Sequence, residues 1–389
     1  MDKLKIAFYS DSYLPAVDGV VTSMLGLKKE LERRGHEVYI FASGTARTKR
    51  KYGNKKVFIV EGFDFKPYPQ YKVAVFPYAS VFRVMANKID LIHAQTPAPM
   101  GLAAIVAAKF SGKPIVGSYH TLVNDKSIME NYYPNIRVFK FFANRSVKAY
   151  LRLFYNRCDA TVAPTGTIER MLRRMKIKNT HVVPNGIDLS VFNDKNADGE
   201  RVRKSLGVRS REKLVLYIGR TSREKRIETL LLAAHRLGRS RKDIKFIIGG
   251  TGPAYEYYRN YADRLSLGNV RFVGFVDKAE LPDYYAACDA FCIPSTFETQ
   301  GVVALEAMAL GKPVIGADSL ALRELIKNGR NGEKFDPMNP AACAGKIEKV
   351  LNNDGAYYQS AVKTAQNFSL EKVTDKMLSI YRLVASNEK

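Results

Sequence analysis

The sequence predicts two doubly wound α/β domains, in which helices cover both faces of a parallel sheet. Its 389 residues are 46% hydrophobic and 26% charged, an ordinary globular composition, and the length is too great for a single core. Short apolar runs alternate with longer segments of helical periodicity from one end of the chain to the other, a pattern typical of parallel sheets. Each half also restarts with a buried strand, a loop and a helix, which indicates two separate sheets.

The alternation can be followed element by element. In the first half, apolar runs predict strands at 5–10, 38–42, 57–60, 91–93, 115–118, 160–163 and 181–183. Helical periodicity between most of them predicts helices at 20–34, 100–110, 136–156 and 167–175. In the second half, strands are expected at 214–219, 246–249, 270–273, 290–293 and 313–315. Helices are expected there at 227–237, 255–265, 281–287, 301–310, 341–351 and 370–385.

A polar segment separates the two halves. It runs from Pro184 to Lys213, begins with turn signals and is highly charged from Asp194 onward. We expect Rossmann-like domains over residues 1–185 and 186–370, with a helix at 371–389 that returns to the N-terminal domain. Ligands of open α/β sheets bind beyond the carboxyl ends of the strands, so two facing domains place the site in the cleft between them.

Net charge is the unusual property of the sequence. Lys and Arg number 62 against 38 Asp and Glu, which gives a net charge of +24. Residues 1–185 carry 30 basic and 13 acidic side chains, and residues 186–389 carry 32 and 25, so the first half holds +17 of the excess. A net charge of this size is informative about binding partners but not about the fold. Nucleic acid, an anionic membrane surface and a phosphorylated ligand all fit it.

Several classes of protein are disfavoured. The cysteines Cys158, Cys288, Cys292 and Cys343 include one C-x3-C pair, at the start of a buried strand. No histidine or second pair stands at ligand spacing, so we expect no metal site. Low cysteine content is typical of a reducing compartment. The N-terminal residues run into a strand pattern without an apolar signal region, and no stretch is apolar enough to span a bilayer. We expect a cytoplasmic protein.

Glu298 and Glu306 are candidate ligand-binding carboxylates. Glu298 lies in a loop after a buried strand, and Glu306 lies about two turns into the helix that follows. Between them, the helix N-terminus at Gly301 offers backbone N–H groups to an anion. This combination suits a ligand that carries both hydroxyls and a diphosphate. Judged by spacing alone, a purely structural interpretation fits equally well. In it, Glu298 is a surface glutamate near the start of the helix, and Glu306 is a helix glutamate paired with a lysine.

A basic loop follows the strand predicted at 214–219. Four cations occur within the seven residues 220–226, and their place at the carboxyl end of a strand suits a phosphate clamp. Cations there would also stabilise a diphosphate as it departs. A solvated basic loop is the alternative in so basic a chain. We assign Arg220 and Lys225 to the ligand, and Arg223 and Arg226 to the surface.

Two further candidates lie at strand ends in the first half. The loop after the first strand lacks the G-x-G-x-x-G pattern, but Gly19 can bring the backbone close to a ligand phosphate. Taken alone, Gly19 fits a simple entry turn better. His120 ends a buried strand and would face the cleft, where a neutral imidazole can hydrogen-bond a sugar hydroxyl or a reacting oxygen. A structural role is the alternative for His120, and His93 is equally ambiguous.

The segment 131–156 combines cations with aromatic residues and contains no acid. Arg137, Lys140, Lys148 and Arg152 fall on one polar face of a predicted helix. A basic amphipathic helix suits an anionic bilayer, at about 1 kcal/mol per cation, and an acid-free basic cluster at 47–56 favours the same partner. The alternative is an ordinary helix with a solvated back. No recognised nucleic-acid motif accompanies the charge.

Taken together and in this order, the motifs resemble those of the GT-B glycosyltransferases of family 4, over nearly the whole chain. The resemblance rests on Gly19, Pro184-Asn185-Gly186-Ile187-Asp188, Tyr217-Ile218-Gly219-Arg220 with Lys225, Gly249-Gly250-Thr251-Gly252-Pro253, Val273-Gly274-Phe275-Val276, Pro294-Ser295 with Glu298 and Glu306, Gly311-Lys312-Pro313-Val314-Ile315, and Gly329-Arg330-Asn331-Gly332. A likeness to diacylglycerol glucosyltransferases and related glycolipid synthases rests on Tyr13-Leu14-Pro15, Gly19-Val20-Val21-Thr22-Ser23, Tyr119-His120-Thr121, Ala163-Pro164-Thr165 and Glu298-Thr299-Gln300-Gly301.

The resemblance implies a retaining transferase that uses a sugar nucleotide, and it implies roles for individual residues. Glu306 is expected at the nucleotide ribose, Glu298 at the donor sugar, Arg220 and Lys225 at the diphosphate, Gly19 against the phosphates or the sugar, His120 at the donor sugar, and Phe275 and Val276 beside the base. Thr299, Gln300 and Gly301 complete the donor site, and His120, Glu298, Arg220 and Lys225 are the candidate catalytic residues. The departing phosphate helps to take the acceptor proton in such enzymes, so neither a protein base nor a metal is required.

Two segments depart from the pattern of the family. Asp18-Gly19 and Asp318-Ser319-Leu320-Ala321 stand where many members have paired glycines. Both departures could reshape the acceptor or phosphate region. Neither removes a diphosphate cation or a carboxylate.

The sequence therefore predicts a retaining glycosyltransferase that moves a hexose from a UDP- or GDP-linked donor to a lipid hydroxyl. It would be peripheral on the cytoplasmic face of the membrane, with the acceptor side in residues 1–185 and the nucleotide-sugar side in residues 186–370. No cofactor, metal or nucleic acid is expected. The alternatives are a family 4 enzyme acting on a soluble glycan or small molecule, and a non-catalytic protein whose basic face binds membrane or nucleic acid.

Overall fold

The chain forms two compact units. A computed structural model describes residues 3–16, 18–64, 72–74, 79–120, 137–353 and 355–386, with the backbone alone for 137–144. Unit 1 comprises Met1–Gly186 and Leu370–Lys389, and unit 2 comprises Ile187–Ser369. Each unit contains its own sheet, and nearly all neighbouring strands pair in parallel. The predicted fold class, two parallel-sheet α/β domains, is confirmed.

The sheet of unit 1 has eight strands in the described residues. They are β1 (Lys5–Ser10), β2 (Glu37–Gly44), β3 (Val57–Asp64), β4 (Lys72–Ala74), β5 (Leu91–Ala94), β6 (Ile115–Ser118), β7 (Ala160–Ala163) and β8 (Thr180–Val182). Their order is β4-β3-β2-β1-β5-β6-β7-β8, and only β3 and β4 pair antiparallel among these strands. The order reverses between β1 and β5, which makes the carboxyl ends of these two strands a topological switch point.

A capping side chain, a proline and a glycine set the ends of helices in unit 1. These are α1 (Gly19–Arg33), α2 (Ala46–Tyr52), α3 (Ser80–Ala86), α4 (Pro99–Ser111), α5 (Arg137–Tyr155) and α6 (Gly166–Arg174). Asp18 caps α1 by accepting a hydrogen bond from the backbone N–H of Val21 at 2.8 Å. Proline at the first position of α4 needs no N–H partner, and Gly112, at φ +62°, ends that helix.

The sheet of unit 2 is entirely parallel in the described residues. Its strands are β9 (Lys213–Ile218), β10 (Ile244–Gly249), β11 (Val270–Gly274), β12 (Ala290–Ile293), β13 (Val314–Ala317) and β14 (Gly332–Phe335), in the order β11-β10-β9-β12-β13-β14. Its helices are α7 (Gly199–Ser205), α8 (Ile227–Ser240), α9 (Tyr255–Arg264), α10 (Leu281–Ala287), α11 (Val302–Ala309), α12 (Leu320–Leu325), α13 (Pro340–Leu351) and α14 (Tyr358–Gln366). This is the strand order of dinucleotide-binding α/β sheets.

Helices cover both faces of the unit 2 sheet, and the side chains of its central strand show why. Along β9, Leu214, Leu216 and Ile218 belong to one hydrophobic cluster, whereas Val215 and Tyr217 belong to another. Side chains of a strand alternate between the two faces of its sheet. Burial of both sets therefore requires helices on both faces of the sheet. Because both sets of side chains are buried, the strand is a continuous apolar run in the sequence.

The C-terminal helix α15 (Leu370–Ser386) is part of unit 1 and packs against α1. Met377 and Tyr381 of α15 lie in the unit 1 core. The hydroxyl of Tyr381 is 2.7 Å from Nδ1 of His93, whose Nε2 is 2.7 Å from Oγ of Ser118. Burial lowers the pKa of His93 to about 3, so the imidazole is neutral at pH 7. Of the alternatives for His93, the structure favours the structural role.

Replacing Tyr381 with phenylalanine is expected to destabilise unit 1 by about 1–3 kcal/mol. The substitution keeps the ring but removes the hydroxyl, and a buried hydrogen-bonding group that loses its partner costs this much. Denaturant unfolding of the purified variant measures the change. Tyr52→Phe, on a half-buried ring of the same unit, is the matched control. Equal stability of the two variants would contradict the assigned role of the Tyr381 hydroxyl.

The structure adds elements that the sequence did not predict. These are the short helices α2, α3, α7, α12 and α14, the antiparallel strand β4 and the edge strand β14. The helix predicted at 136–156 is confirmed over Arg137–Tyr155; Asn156 is in a turn, and Ile136 lies outside the described residues. Within the described residues, no helix is long and apolar enough to span a bilayer.

Candidate active site

The topological switch point of unit 2 lies between β9 and β12, where the strand order reverses. Open α/β sheets bind their ligands at such a point. The loop after β9 carries Arg220 and Lys225, and the loop after β12 carries Glu298. The structure therefore places the predicted basic loop and the first predicted glutamate at neighbouring strand ends, where a ligand is expected.

Lys225 and Glu298 form an ion pair across this switch point. Nζ of Lys225 is 2.6 Å from Oε1 of Glu298, and the two side chains are 20% and 13% exposed. The sequence did not predict this contact, because 73 residues separate the partners. Each side chain neutralises the other, which lowers the cost of holding both at a mostly buried site. An arriving diphosphate would compete with Glu298 for the ammonium group.

Close backbone contacts fix the shape of the basic loop. The N–H of Thr221 donates to the carbonyl of Thr251 at 3.0 Å, which ties the loop after β9 to the loop after β10. Gly250 has φ +120°, and a Cβ there would lie 1.9 Å from the carbonyl oxygen of Gly219. Only glycine fits this conformation and this approach. Arg220 therefore leaves the sheet on a rigid backbone and is half-buried.

Glu306 is buried on α11, with 6% of its surface exposed. The hydroxyl of the fully buried Tyr285, on α10, donates to its Oε2 at 2.8 Å. Burial raises the pKa of the Glu306 carboxyl to about 7, and the tyrosine hydrogen bond only partly offsets this. Among the described residues no lysine forms an ion pair with Glu306, so the structure does not favour the alternative of a helix glutamate paired with a lysine. Tyr285 was not identified from the sequence, since nothing in its local pattern marks it as a partner.

The segment between the two glutamates forms a tight turn into α11. Gln300 is buried, with 2% exposure, and Thr299 is half-buried. Gly301 caps the helix at φ +83°, and a Cβ there would lie 2.9 Å from Leu322. The helix N-terminus at Gly301, where the sequence predicts an anion site, is therefore formed by a residue that must be glycine.

Of the two residues expected beside the base, only one side chain is accessible. Phe275 follows β11 and is 64% exposed, whereas Val276 packs in the unit 2 core at 7% exposure. The ring of Phe275 and the loop backbone are therefore the groups that a base could contact. Arg223, assigned to the surface, is exposed, and its guanidinium lies 3.3 Å from the ring centroid of Tyr257.

The two site residues predicted in unit 1 lie at strand and helix ends. His120 follows β6, and its Nε2 is 3.0 Å from Oε1 of Gln95. Burial lowers the pKa of His120 to about 4, so it is neutral at pH 7. Gly19 begins α1 and is exposed, and a Cβ at this position would have no described atom within 4 Å. Gln95 was not identified from the sequence, although it stands only two residues after His93 at the same strand end.

The described part of the basic helix is amphipathic. Lys148 and Arg152 are exposed, whereas Leu151 and Phe154 are buried. The side chains of Arg137 and Lys140 lie outside the described residues. Arg145 is exposed as well, so the three described cations of this helix face solvent, and the apolar face packs on unit 1.

The fold and the site together define a class of protein. HepE from Anabaena, solved in complex with UDP-glucose, has the same fold, with a TM-score of 0.74, 20% identity and coverage of 97% of this chain and 99% of that one. Sucrose-phosphate synthase from Thermosynechococcus elongatus gives a TM-score of 0.75 at 20% identity, over 99% and 100% of the two chains. The fold is that of the GT-B glycosyltransferases.

The profile for glycosyl transferases group 1 matches residues 198–368, and the profile for Glycosyltransferase Family 4 matches residues 17–191. The chain belongs to glycosyltransferase family 4. It is 30% identical to the alpha-monoglucosyldiacylglycerol synthase of Streptococcus pneumoniae, over 85% of this chain and 75% of the relative. It is 29% identical to the GDP-mannose-dependent alpha-mannosyltransferase of Mycolicibacterium smegmatis, over 98% of each. The non-catalytic alternative is thereby set aside.

Proposed function

We propose that this glycosyltransferase moves a hexose from a nucleotide diphosphate to a lipid hydroxyl, with retention of anomeric configuration and without a metal. The observation that carries the donor half is the Lys225–Glu298 pair at the unit 2 switch point, with Arg220 in the same loop. Two cations at a strand end suit a diphosphate, and carboxylates suit the hydroxyls of a sugar and a ribose. The acceptor half is supported by the likeness to glycolipid synthases and by the basic surface of unit 1.

The proposed roles follow from the chemistry of each group. Lys225 and Arg220 bind the diphosphate and stabilise its charge as the bond to the sugar breaks. Glu298, released from Lys225, accepts a hydrogen bond from the hexose. Glu306 accepts hydrogen bonds from the ribose with the carboxylate oxygen that Tyr285 does not occupy. The departing phosphate takes the acceptor proton, so no side chain is needed as a base.

Thermal unfolding with nucleotide sugars tests the donor half. A ligand that binds only the native state stabilises it by about 2.7 kcal/mol at 100 times its Kd, so the true donor raises Tm clearly. UDP-glucose and GDP-mannose are the two probes, because the chain is similar to relatives named for a glucosyl and for a mannosyl reaction. A rise with GDP-mannose alone would favour a mannosyltransferase. No rise with either, or with other nucleotide hexoses, would contradict the proposed donor class.

Donor use is expected to rise with pH across about pH 7. The pKa of Glu306 is raised to about 7, so the carboxyl is mostly protonated below that pH and accepts hydrogen bonds poorly. The kcat/KM for the donor reports ionisations of the free enzyme, so between pH 7 and pH 6 it should fall about fivefold more in the wild type than in Glu306→Gln. Glu306→Gln should show low activity without this rise. A rise that persists in Glu306→Gln would contradict the assignment.

Membrane binding is expected to weaken when two described cations of α5, Lys148 and Arg152, are neutralised. Each cation near an anionic surface contributes about 1 kcal/mol, so Lys148→Ala with Arg152→Ala should weaken binding roughly 30-fold. Sedimentation with vesicles of phosphatidylglycerol and phosphatidylcholine measures it. The matched control removes two exposed cations of unit 2, Arg211→Ala with Lys363→Ala. Equal binding of both double variants would contradict a membrane role of this helix face.

A further inference from the structure

The basic loop 220–226 has a shape that its own residues do not favour. It contains a 3-10 turn over Arg223–Lys225, and Arg226, which follows, has φ +49°. This left-handed region suits glycine, and a residue with a side chain stays in it only where surrounding contacts hold it there. Elements outside the loop therefore determine its shape, and three tyrosines contact it from two of them.

The first tyrosine lies on β9, the strand that the loop follows. Tyr217 is 1% exposed, and its hydroxyl donates to the carbonyl oxygen of Arg220 at 3.0 Å. Its ring belongs to the same hydrophobic cluster as Leu230 and Leu231 of α8. Protein cores are close-packed, so the ring cannot move without disturbing this cluster. The hydroxyl therefore fixes the backbone of Arg220 at the point where the chain leaves the sheet.

The second tyrosine joins the loop to the helix that follows it. Tyr258, on α9, is fully buried, and its hydroxyl lies 3.3 Å from the carbonyl oxygen of Ser222 and 2.9 Å from Oε2 of Glu228. A phenol has one hydrogen to donate, so the two acceptors share it. Ser222 belongs to the loop, and Glu228 belongs to the first turn of α8. One hydroxyl thus holds both sides of the turn that carries Lys225.

The third tyrosine acts through its ring. The guanidinium carbon of Arg223 lies 3.3 Å from the ring centroid of Tyr257 on α9, well within the range of a cation–π contact. The ring of Tyr261, one turn further along the helix, is stacked on that of Tyr257 with the centroids 6.0 Å apart. Because Arg223 begins the 3-10 turn, this contact holds the side chain two positions before Lys225.

Backbone contacts anchor α9 beside the loop. The N–H of Ala254, at the start of α9, donates to the carbonyl oxygen of Thr221 at 2.9 Å. A Cβ at Gly252 would lie 2.5 Å from the same oxygen, so only glycine allows the two segments to approach this closely. Tyr257 and Tyr258 therefore contact the loop from a fixed position.

We propose that Tyr217, Tyr257 and Tyr258 are positioning residues that hold the basic loop in the shape that binds a diphosphate. They act through Arg220 and Lys225, the cations assigned to that group. Their role rests on the proposed function, because the diphosphate is that of the nucleotide-sugar donor. A loop that already has its bound shape loses less conformational entropy when the ligand arrives, so the tyrosines raise the affinity for the diphosphate.

Nucleotide binding by tyrosine variants tests this role. Tyr217→Phe and Tyr258→Phe each remove one hydroxyl, and each should weaken binding of UDP or GDP about 3- to 10-fold. Tyr257→Leu should have a similar effect, whereas Tyr257→Phe keeps the ring and should bind like the wild type. Binding of UMP or GMP should change much less, because a monophosphate offers the two cations only one phosphate group. Isothermal titration calorimetry, at a temperature at which each variant is folded, gives the ratio of diphosphate to monophosphate affinity.

The matched control is Tyr261→Phe, which removes a hydroxyl from the same helix. A tyrosine that only supports the fold would lower the thermal stability when changed but would leave the affinity ratio as it is. A wild-type ratio in the variants, or an equal fall of the ratio in Tyr261→Phe, would therefore overturn the proposal. Tyr257 is half-buried, so its two variants give a result even if a buried hydroxyl proves necessary for folding.

A wild-type protein that binds neither UDP nor GDP would contradict the proposed donor instead. Hydrogen exchange of the segment 219–228 then tests the three tyrosines without a ligand. Faster exchange there in Tyr217→Phe, Tyr258→Phe and Tyr257→Leu than in Tyr261→Phe supports the positioning role, and equal exchange overturns it.

Discussion

Glu306→Gln is expected to lower kcat/KM for the donor by about 100- to 10,000-fold. Hydrogen bonds to an ionised group contribute about 1.5–3 kcal/mol each, and the carboxylate is assigned two of them, to the ribose. The substituted amide still accepts a hydrogen bond from Tyr285, so the fold should be retained. The amide NH₂ group of the glutamine is a donor, at the position where the ribose hydroxyls need an acceptor. Steady-state kinetics with the donor varied measures the loss, most of which should appear in KM.

The control for this variant is Glu200→Gln, which changes an exposed glutamate of α7 in the same way. Thermal unfolding of each variant without ligand separates loss of function from loss of structure. Glu306→Gln with nearly normal kcat/KM and normal stability would show that Glu306 does not bind the donor. Its burial would then be a structural feature of α11 alone.

Lys225→Met is expected to lower kcat by about 100- to 1,000-fold. The ammonium group is assigned to the diphosphate, whose negative charge grows as the sugar departs, and removal of one such stabilising group costs this much. The methylene stem remains in place. Because the charge matters most in the transition state, kcat should fall more than donor affinity. Lys225→Arg should retain part of the activity, since it keeps the charge with a different shape.

Removal of Lys225 also leaves Glu298 without its partner. A mostly buried carboxylate without compensation destabilises the fold, so Lys225→Met is compared with Lys225→Met/Glu298→Gln, in which the charge is absent from both positions. The double variant should regain stability but not kcat. Lys363→Met, on an exposed residue of α14, serves as the surface control. Recovery of kcat in the double variant would show that the lysine acts only as a structural partner of Glu298.

Long apolar and amphipathic elements could be predicted from the sequence because burial alone determines them. The predicted strand at 5–10 has the same bounds as β1, and the helix at 281–287 has the same bounds as α10. The edge strand β14 could not be found in this way. Its central residues are Glu333 and Lys334. The Glu333 side chain is fully buried and forms ion pairs with Lys346 and Lys349. Burial by charge pairing leaves no apolar run in the sequence.

The candidate site was predictable to the extent that strand ends could be located. Arg220, Lys225 and Glu298 were singled out because they follow buried strands, and the structure places them at the switch point. Their partners were not predictable. The Lys225–Glu298 pair, the Tyr285–Glu306 bond and the Gln95–His120 bond all join residues at least 21 positions apart. Such contacts depend on how strands and helices pack, which local periodicity does not record.

The most direct test of the proposed reaction is the product formed from UDP-glucose labelled with ¹³C at the anomeric carbon. The enzyme is incubated with this donor, or with labelled GDP-mannose, and with vesicles that contain diacylglycerol. After solvent extraction, we expect an α-anomeric ¹³C signal in the lipid phase. A β-anomeric lipid signal would contradict retention. Label that is transferred only to water-soluble acceptors would contradict the proposed lipid acceptor, and label that stays on the nucleotide with every hexose donor tested would contradict the transfer itself.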